Sequence, residues 1–340
     1  MKPNLARRRK KLRNLMDEKG LDAVLTSNHD DIFYYTGYSG FREDRIFMVL
    51  PAGGEPKLIV TPLENEAEIK YSNVIFMNEV KDFLDQVRPF ETLGYDEKYL
   101  SVLLFKKIDK LNVKLKPVGK MLGIPRMVKE ANEIDQIKGA ISITKKVFGK
   151  TGSGMIGKSE KEISNEIDIE FRKQGVTNAF ENIVSSGPQG VFVHHKPNER
   201  VIKKKDSVLI DIGCRFNMYC SDIARVFFKK LDNKKRKIYE DVKIIHNEII
   251  DNIRAGTKYK DIESLQEKLF ESKGYRVFHN FGHGVGLSVQ DPVSNVLSKN
   301  EVLTVEPGIY IKNLGGFRIE DMVLVKKGKA EVLSKSIPVF

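Results

Sequence analysis

Five side chains able to ligate a metal fall after residue 210, and their settings read as one site. Asp211 lies in Leu209-Ile210-Asp211-Ile212-Gly213 and Asp222 in Ser221-Asp222-Ile223-Ala224-Arg225. His283 is framed by glycines in Gly282-His283-Gly284-Val285-Gly286. Glu306 precedes Pro307-Gly308, and Glu320 sits in Arg318-Ile319-Glu320-Asp321. Four carboxylates and one imidazole in apolar or glycine-rich segments do not read as ordinary surface charge. Carboxylates buried close together take up protons unless cations neutralise them. The chemistry suggested is that of a dinuclear hydrolase, with two divalent ions about 3.5 Å apart.

The elements that carry these residues predict how they meet. Antiparallel partners across a hairpin have residue numbers with a constant sum. Asp211 and Asp222 are centred on Phe216-Asn217, and a turn there sets the two aspartates opposite each other. Glu306 and Glu320 are centred on Asn313, within Lys312-Asn313-Leu314-Gly315-Gly316. Like charges directly opposite destabilise a sheet, so both hairpins are expected to share cations.

Upstream, residues 1 to about 120 alternate helical and strand patterns, the signature of an α/β layer. A basic helix at about 4–19 leads to a strand at 21–25. Further strands are expected at 46–50, 57–60, 74–77 and 113–118, with helices at 63–69 and 100–111. No glycine-rich phosphate loop follows any of these strands. Gly123-Ile124-Pro125-Arg126-Met127 punctuates the chain, which sets a boundary near 122 and two domains, 1–122 and 123–340. The second half opens with helices at about 130–148 and 159–173. Strands follow at 181–185 and 207–212, then a hairpin to 228. Helices at about 234–253 and 259–272 precede a strand-rich end. Two helices followed by an acidic hairpin occur twice, a hint of internal duplication.

A chain of 340 residues exceeds one typical core, in keeping with two domains. The first residues contain no apolar core of a secretory leader, and no stretch approaches the roughly 18 apolar residues that span a bilayer. The cytoplasm is the expected compartment. Cys214 and Cys220 are expected to be buried free thiols. They flank the acidic pair and could ligate, but thiolates favour softer metals than a carboxylate-rich site does. The formal charge of +12 comes with basic runs at 7–13 and 229–237. Neither has interleaved aromatics or a nucleic-acid motif, so both read as solvated helix faces, with no specific nucleic-acid partner and no membrane.

The whole pattern resembles the pita-bread metallopeptidases, especially their prolidase (Xaa-Pro dipeptidase) and Xaa-Pro aminopeptidase branch. Asp31-Ile32-Phe33-Tyr34-Tyr35-Thr36-Gly37-Tyr38 looks like the early motif of the family's creatinase-type N-terminal domain, and residues 281–287, 304–311 and 315–321 look like its catalytic signatures. The resemblance implies an α/β creatinase-like domain followed by an α+β pita-bread catalytic domain. It implies that Asp211 chelates one metal, that His283 and Glu306 bind the other, and that Asp222 and Glu320 bridge both. Glu306 also matches the glutamate that takes the proton from the metal-bridging water. Manganese or cobalt is the expected metal, and zinc also fits mixed N/O ligation. His194 matches a family histidine that binds substrate near the scissile bond, and His279 another near the metals. Arg318 matches an arginine that contacts the dipeptide carboxylate, although it could simply pair with a ligand carboxylate. His29, His195 and His246 match no motif and read as structural or surface residues. A homodimer is implied at the level of the family; the chain shows no dimer signal of its own.

One departure bears on substrate choice. The family usually reads Val-His-Glu-x-Pro after the Gly-His-Gly segment, whereas this chain reads Val289-Gln290-Asp291-Pro292. Gln290 therefore replaces an active-site histidine; it can donate a hydrogen bond but cannot carry a proton or a charge. The stretch from there to Glu306 is short, and a prolidase arginine expected shortly after that histidine has no clear counterpart. Asp291 for glutamate and Ala224 for the usual threonine are smaller changes. The reading is a metallopeptidase cleaving Xaa-Pro bonds in dipeptides or short peptides, with a metal-bridging hydroxide as nucleophile. The alternatives are a hydrolase or lyase acting on a non-proline small substrate through the same site, and a non-enzymatic binding module.

Overall fold

The computed structural model describes residues 4–40, 46–63, 71, 73–152, 154–230 and 232–337. The chain divides into two compact units, Met1–Arg126 and Met127–Phe340.

The first unit is the expected α/β layer. Its six-stranded sheet runs Val74–Phe76, Lys57–Val60, Phe47–Pro51, Ala23–Thr26, Thr92–Tyr95, Lys114–Pro117 from edge to edge. Ala23–Thr26 pairs antiparallel with Phe47–Pro51 and parallel with Thr92–Tyr95. Leu25, Val49, Ile59 and Leu93 bury against Phe83, Val87 and Ile108 from the helices Val80–Val87 and Val102–Ile108. Most of the helix expected at 63–69 lies outside the described residues.

The strand Thr92–Tyr95 and the helices His29–Thr36 and Val80–Val87 carry weak local signals. Gly94 lowers strand propensity, yet it is needed where it stands. A Cβ there would lie 2.9 Å from Val118 Cγ2. The Pro125 segment, expected to punctuate the chain, is instead part of a helix, Gly119–Met127. The Tyr34 hydroxyl donates to the Pro125 carbonyl at 2.6 Å and the Tyr35 hydroxyl to the Leu122 carbonyl at 2.7 Å. Arg126 donates to Asp31 at 2.6 Å. These buried tertiary bonds outweigh the local cost of proline.

The basic helix Leu5–Glu18 is less free than its charge suggests. Arg8 is buried with its guanidinium over the Tyr34 ring, Arg9 pairs with Glu55, and Arg13 donates to the Pro51 carbonyl. In the second unit, Lys237 pairs with Asp241 and Lys235 donates to the Lys205 carbonyl. Among the described residues no helix is long and apolar enough to cross a membrane.

The second unit opens with the helices Ala131–Thr151 and Glu160–Lys173, close to their expected bounds. Ser207–Ile212 lies between Ile183–Ser186 and Ile223–Phe228 in an antiparallel sheet. The helices Asn233–Asn252 and Tyr259–Ser272 bring Val242, Ile245, Ile249 and Phe270 onto a core shared with Leu303, Val305, Phe317 and Val323.

The two acidic hairpins differ in how their register compares with expectation. In the second, Val305 pairs with Asp321 and Gly308 with Arg318. The expected sum therefore holds, and Glu306 and Glu320 face each other across a gap between two ladders. Odd-numbered Leu303, Val305, Ile309, Phe317, Ile319 and Val323 enter the core, so the two glutamates have the opposite parity. In the first hairpin the register is two residues from the expected one. Asp211 pairs with Ala224 rather than Asp222. The turn is Asn217-Met218, both left-handed with φ 46° and 74°, and Phe216 pairs with Tyr219. Side chains alternate with period two, so this shift keeps Asp222 on the face of Asp211, as a diagonal rather than a direct neighbour.

Met218 is the residue in this turn least suited to left-handed backbone, a conformation that costs a side chain about 1–2 kcal/mol. Met218→Gly is expected to stabilise the protein by about 0.5–1 kcal/mol, since Asn-Gly is the preferred pair for this turn. Urea unfolding of the metal-free protein checks this, and an unchanged or lower midpoint would contradict it.

Candidate active site

The segment carrying His283 is held beside the second acidic hairpin by backbone bonds. Glu306 N donates to Phe281 O at 2.7 Å, Thr304 N to His283 O at 2.8 Å, and Val285 N to Val302 O at 3.0 Å. The Thr304 hydroxyl also accepts from His283 N at 3.0 Å. So close an approach requires glycine: a Cβ on Gly282 would fall 2.0 Å from the Thr304 carbonyl oxygen. The two acidic hairpins are themselves joined, because Glu320 N donates to Ala224 O at 3.1 Å, and Ala224 is the partner of Asp211. Arg225, fully buried, donates to the Glu320 carbonyl at 2.6 Å and to the Asp321 carboxylate at 2.6 Å.

These contacts bring the five expected ligands together. Donor atoms of Asp222, His283 and Glu320 all lie within 4.8 Å of one another. His283 Nε2 is 3.5 Å from Asp222 Oδ2 and 3.5 Å from Glu306 Oε1. Its Nδ1 faces the Gly284 carbonyl at 3.1 Å. A proton donated there leaves the Nε2 lone pair directed at the carboxylates, as a metal ligand requires. Asp211 completes the group, with one oxygen bonded to the Arg318 guanidinium.

The electrostatics show what the cluster lacks. Burial, then the charges of Asp211 and Glu306, push Asp222 well above the ordinary carboxylate range. Burial and the charges of Asp222, Asp211 and Glu306 do the same to Glu320. Burial raises Glu306 to about 7, although Arg318 pulls it down. Asp211 Oδ1 and Glu320 Oε2 are buried without a hydrogen-bond partner. Burial also lowers His283, keeping the imidazole in its neutral, ligating form. Buried anionic oxygens without donors, beside a neutral imidazole, fit divalent cations with mixed N/O preference.

All nine expected site residues line one cavity of about 820 Å³. Gln290 and His194 are exposed in it. His279 stands 3.8 Å from Glu306, and burial lowers it to about 4, so it is neutral. Arg318 is buried and engaged: it bonds Asp211 and donates to the Tyr310 oxygen at 2.8 Å. The pairing with a ligand carboxylate read from the sequence is thus present. His195 is structural, its Nε2 2.7 Å from Glu160. Cys214 and Cys220 are buried free thiols, and burial raises Cys214, which disfavours its thiolate.

Tyr310 was not among the expected site residues. Its hydroxyl accepts from Arg318 and lies 2.9 Å from His279 Nε2, so it links the two. The signal was available: Tyr310 shares the parity of Glu306 on the same hairpin. Thr304, which bonds the His283 backbone, shares it too.

The comparisons with known proteins agree with this arrangement. The profile of Metallopeptidase family M24 matches residues 135–327, and that of the Creatinase/Prolidase N-terminal domain matches residues 8–128. The chain belongs to metallopeptidase family M24. It is 31% identical to an Xaa-Pro dipeptidase of Pyrococcus furiosus over 97% of this chain and 98% of that protein. It is 32% identical to a putative Xaa-Pro aminopeptidase of Mycoplasma genitalium over 96% of each. The solved structure of an Xaa-Pro dipeptidase from Bacillus anthracis superposes with a TM-score of 0.91 at 28% identity, covering 99% of both chains. The creatinase-type N-terminal domain and pita-bread catalytic domain expected from the sequence are therefore both present in this M24 metallopeptidase.

The raised carboxylates tie folding of the metal-free M24 chain to pH. A native group with a raised pKa holds a proton that the unfolded chain releases, so its contribution to stability is lost as pH rises through the folded value. The lowered histidines act in the opposite sense, but only below their ordinary value of 6.5. Above about pH 6.5 the carboxylates decide, because Glu306 is raised to about 7 and Asp222 and Glu320 are raised well above their ordinary range. The urea midpoint of the metal-free protein is expected to fall as pH rises through this range. The stabilisation from added Mn²⁺ should grow across it, because cations displace those protons. A flat or rising metal-free profile would contradict the assignment.

Proposed function

We propose that this chain hydrolyses Xaa-Pro bonds in dipeptides or short peptides, using two divalent cations held by Asp211, Asp222, His283, Glu306 and Glu320. Asp211 would serve one cation, His283 and Glu306 the other, and Asp222 and Glu320 would serve both; manganese or cobalt is favoured, with zinc compatible. The observation that carries this reading is the buried, donor-poor carboxylate cluster around a neutral imidazole. The names of the Pyrococcus and Bacillus relatives supply the substrate class. When bound, the cations supply activated water at neutral pH and positive charge for the developing oxyanion.

The chain's own residues do the rest. Glu306, beside His283 and His279 in the cavity, accepts a proton at its carboxylate and passes it towards the leaving amine. Neutral His279, steadied by Tyr310 at one nitrogen, stands beside Glu306 and keeps its orientation. His194, exposed in the cavity, binds substrate near the scissile carbonyl. The Arg318 guanidinium holds Asp211 rather than the substrate.

A second reading, a hydrolase or lyase acting on a non-proline amide or acid, is favoured by one observation. Gln290 lines the cavity at the position where the family pattern it resembles has a histidine. A panel of Xaa-Pro dipeptides, Xaa-Pro-Yaa tripeptides and non-proline amides, run with Mn²⁺, Co²⁺ and Zn²⁺, separates the readings.

Elemental analysis is expected to approach two divalent ions per chain at saturation; a limit of one would defeat the two-ion assignment. Asp222→Asn and Glu320→Gln keep side-chain volume, and each is expected to lower kcat about a hundred-fold or more. Circular dichroism and the metal-free unfolding midpoint should show the fold retained.

A charge-assisted hydrogen bond is roughly twice as strong as a neutral one. Gln290→His is therefore expected to raise kcat/KM on an Xaa-Pro dipeptide several-fold. A large loss would show that glutamine is matched to a different substrate.

A further inference from the structure

The active-site cavity is lined by the carboxylates of Asp211, Asp222, Glu306 and Glu320, with Glu181 and Asp291, and the formal cations among the described lining residues are Arg318 and Lys196. Arg318 is 1% exposed and its two terminal nitrogens are engaged by Asp211 and Tyr310, which leaves only a buried Nε, whereas Lys196 is free. Lys196 is exposed and makes no hydrogen bond or ion pair among the described residues.

The backbone that presents Lys196 is fixed on both sides. His195 Nε2 lies 2.7 Å from Glu160 Oε2, while Ser186 N and its hydroxyl donate to the other Glu160 oxygen at 2.7 Å and 2.6 Å. On the far side, Lys161 N donates to Asn198 O at 3.0 Å, and the Asn198 amide donates to Gln189 at 2.8 Å. An unpaired ammonium on a flexible stem thus projects from an anchored loop. Lys196 also lines an adjoining depression of about 590 Å³, together with Glu181 and Asn182, so it stands where the cavity continues outward.

A short peptide is a zwitterion. With the four clustered carboxylates neutralised by two dications, its carboxylate is left to be matched by the free side-chain cation among the described lining residues, Lys196. We infer that Lys196 is the specificity-determining residue that reads the substrate's free C-terminal carboxylate, and that the substrates are free-acid dipeptides and tripeptides. This rests on the Xaa-Pro reading above for the identity of the scissile bond. Lysine is a point charge on a four-carbon stem, not a planar fork. It follows a carboxylate across one or two residues beyond the scissile bond. Glu181, the exposed acid beside it, disfavours a carboxylate placed elsewhere on the rim.

The test compares Ala-Pro with its C-terminal amide on the metal-loaded full chain, wild type against Lys196→Ala. Both kinetics and calorimetric dissociation constants are measured. Wild type is expected to prefer the free acid. Lys196→Ala should raise KM and Kd for the acid about two-fold to five-fold, the range of an accessible ion pair, with the effect in KM and not in kcat. The amide should be indifferent to the change. Lys161→Ala, which removes a charge from the neighbouring depression, should leave the acid-to-amide ratio as in wild type. An acid-to-amide ratio unaffected by Lys196→Ala, or no preference in wild type, overturns the assignment. Absence of turnover by every form would overturn the Xaa-Pro reading instead. The calorimetric ratio would then still decide on Lys196, its collapse in Lys196→Ala supporting the role and its persistence removing it.

Discussion

Repulsion among buried carboxylates is the constraint on which the catalytic unit depends. Burial and mutual charge push Asp222 and Glu320 far from their ordinary range, and Glu306 to neutrality. No arrangement of hydrophobic packing removes that cost; cations or protons must. The surrounding structure is organised to hold the acids together against it. Ala224 accepts from Glu320 N across the two hairpins, and Arg225 clamps the carbonyl of Glu320 from behind. The glycines around His283 let a third segment approach closely enough to deliver its imidazole. Stability and metal affinity are therefore two expressions of one balance.

A second layer of order runs from that cluster towards the substrate. Asp211 orients Arg318, Arg318 donates to Tyr310, and the Tyr310 hydroxyl meets His279. Each member is buried or half-buried, so the chain of bonds is short of competing water. It fixes the tautomer of His279: the nitrogen facing the tyrosine hydroxyl accepts, and the other donates to the Asn280 carbonyl. A residue distant from the carboxylates in sequence is thereby placed by them.

How much of this was legible in the sequence depended on whether local pattern and tertiary packing agreed. Glu306 and Glu320 were placed opposite each other to the residue because Asn313 and the two glycines after it leave one place for the turn. The first hairpin was read two residues out, because nothing in Phe216-Asn217-Met218 announces that methionine adopts a left-handed conformation. The face of Asp222 survived the error, since parity and not register decides it. The end of the first unit was less readable. A proline within Gly119–Met127 argues against a helix, and only the distant Tyr34, Tyr35 and Arg126 contacts explain why one forms. Tyr310 and Lys196 were passed over because neither belongs to the acidic cluster nor matches a position that the family motifs single out.

The turn that presents Gln290 has a consequence of another kind. Its shape is fixed by Asp291 N bonding the Gly284 carbonyl at 2.8 Å and by the buried ion pair of Asp291 with Lys129 at 3.1 Å. The side chain at 290 takes no part in either, and it is exposed in the cavity. Histidine and glutamine codons differ by a single base. One nucleotide change can therefore exchange a proton carrier for a neutral amide at the mouth of this cavity without disturbing a ligand. A lineage can drift between the two chemistries, and back, while its metal scaffold stays under unbroken selection.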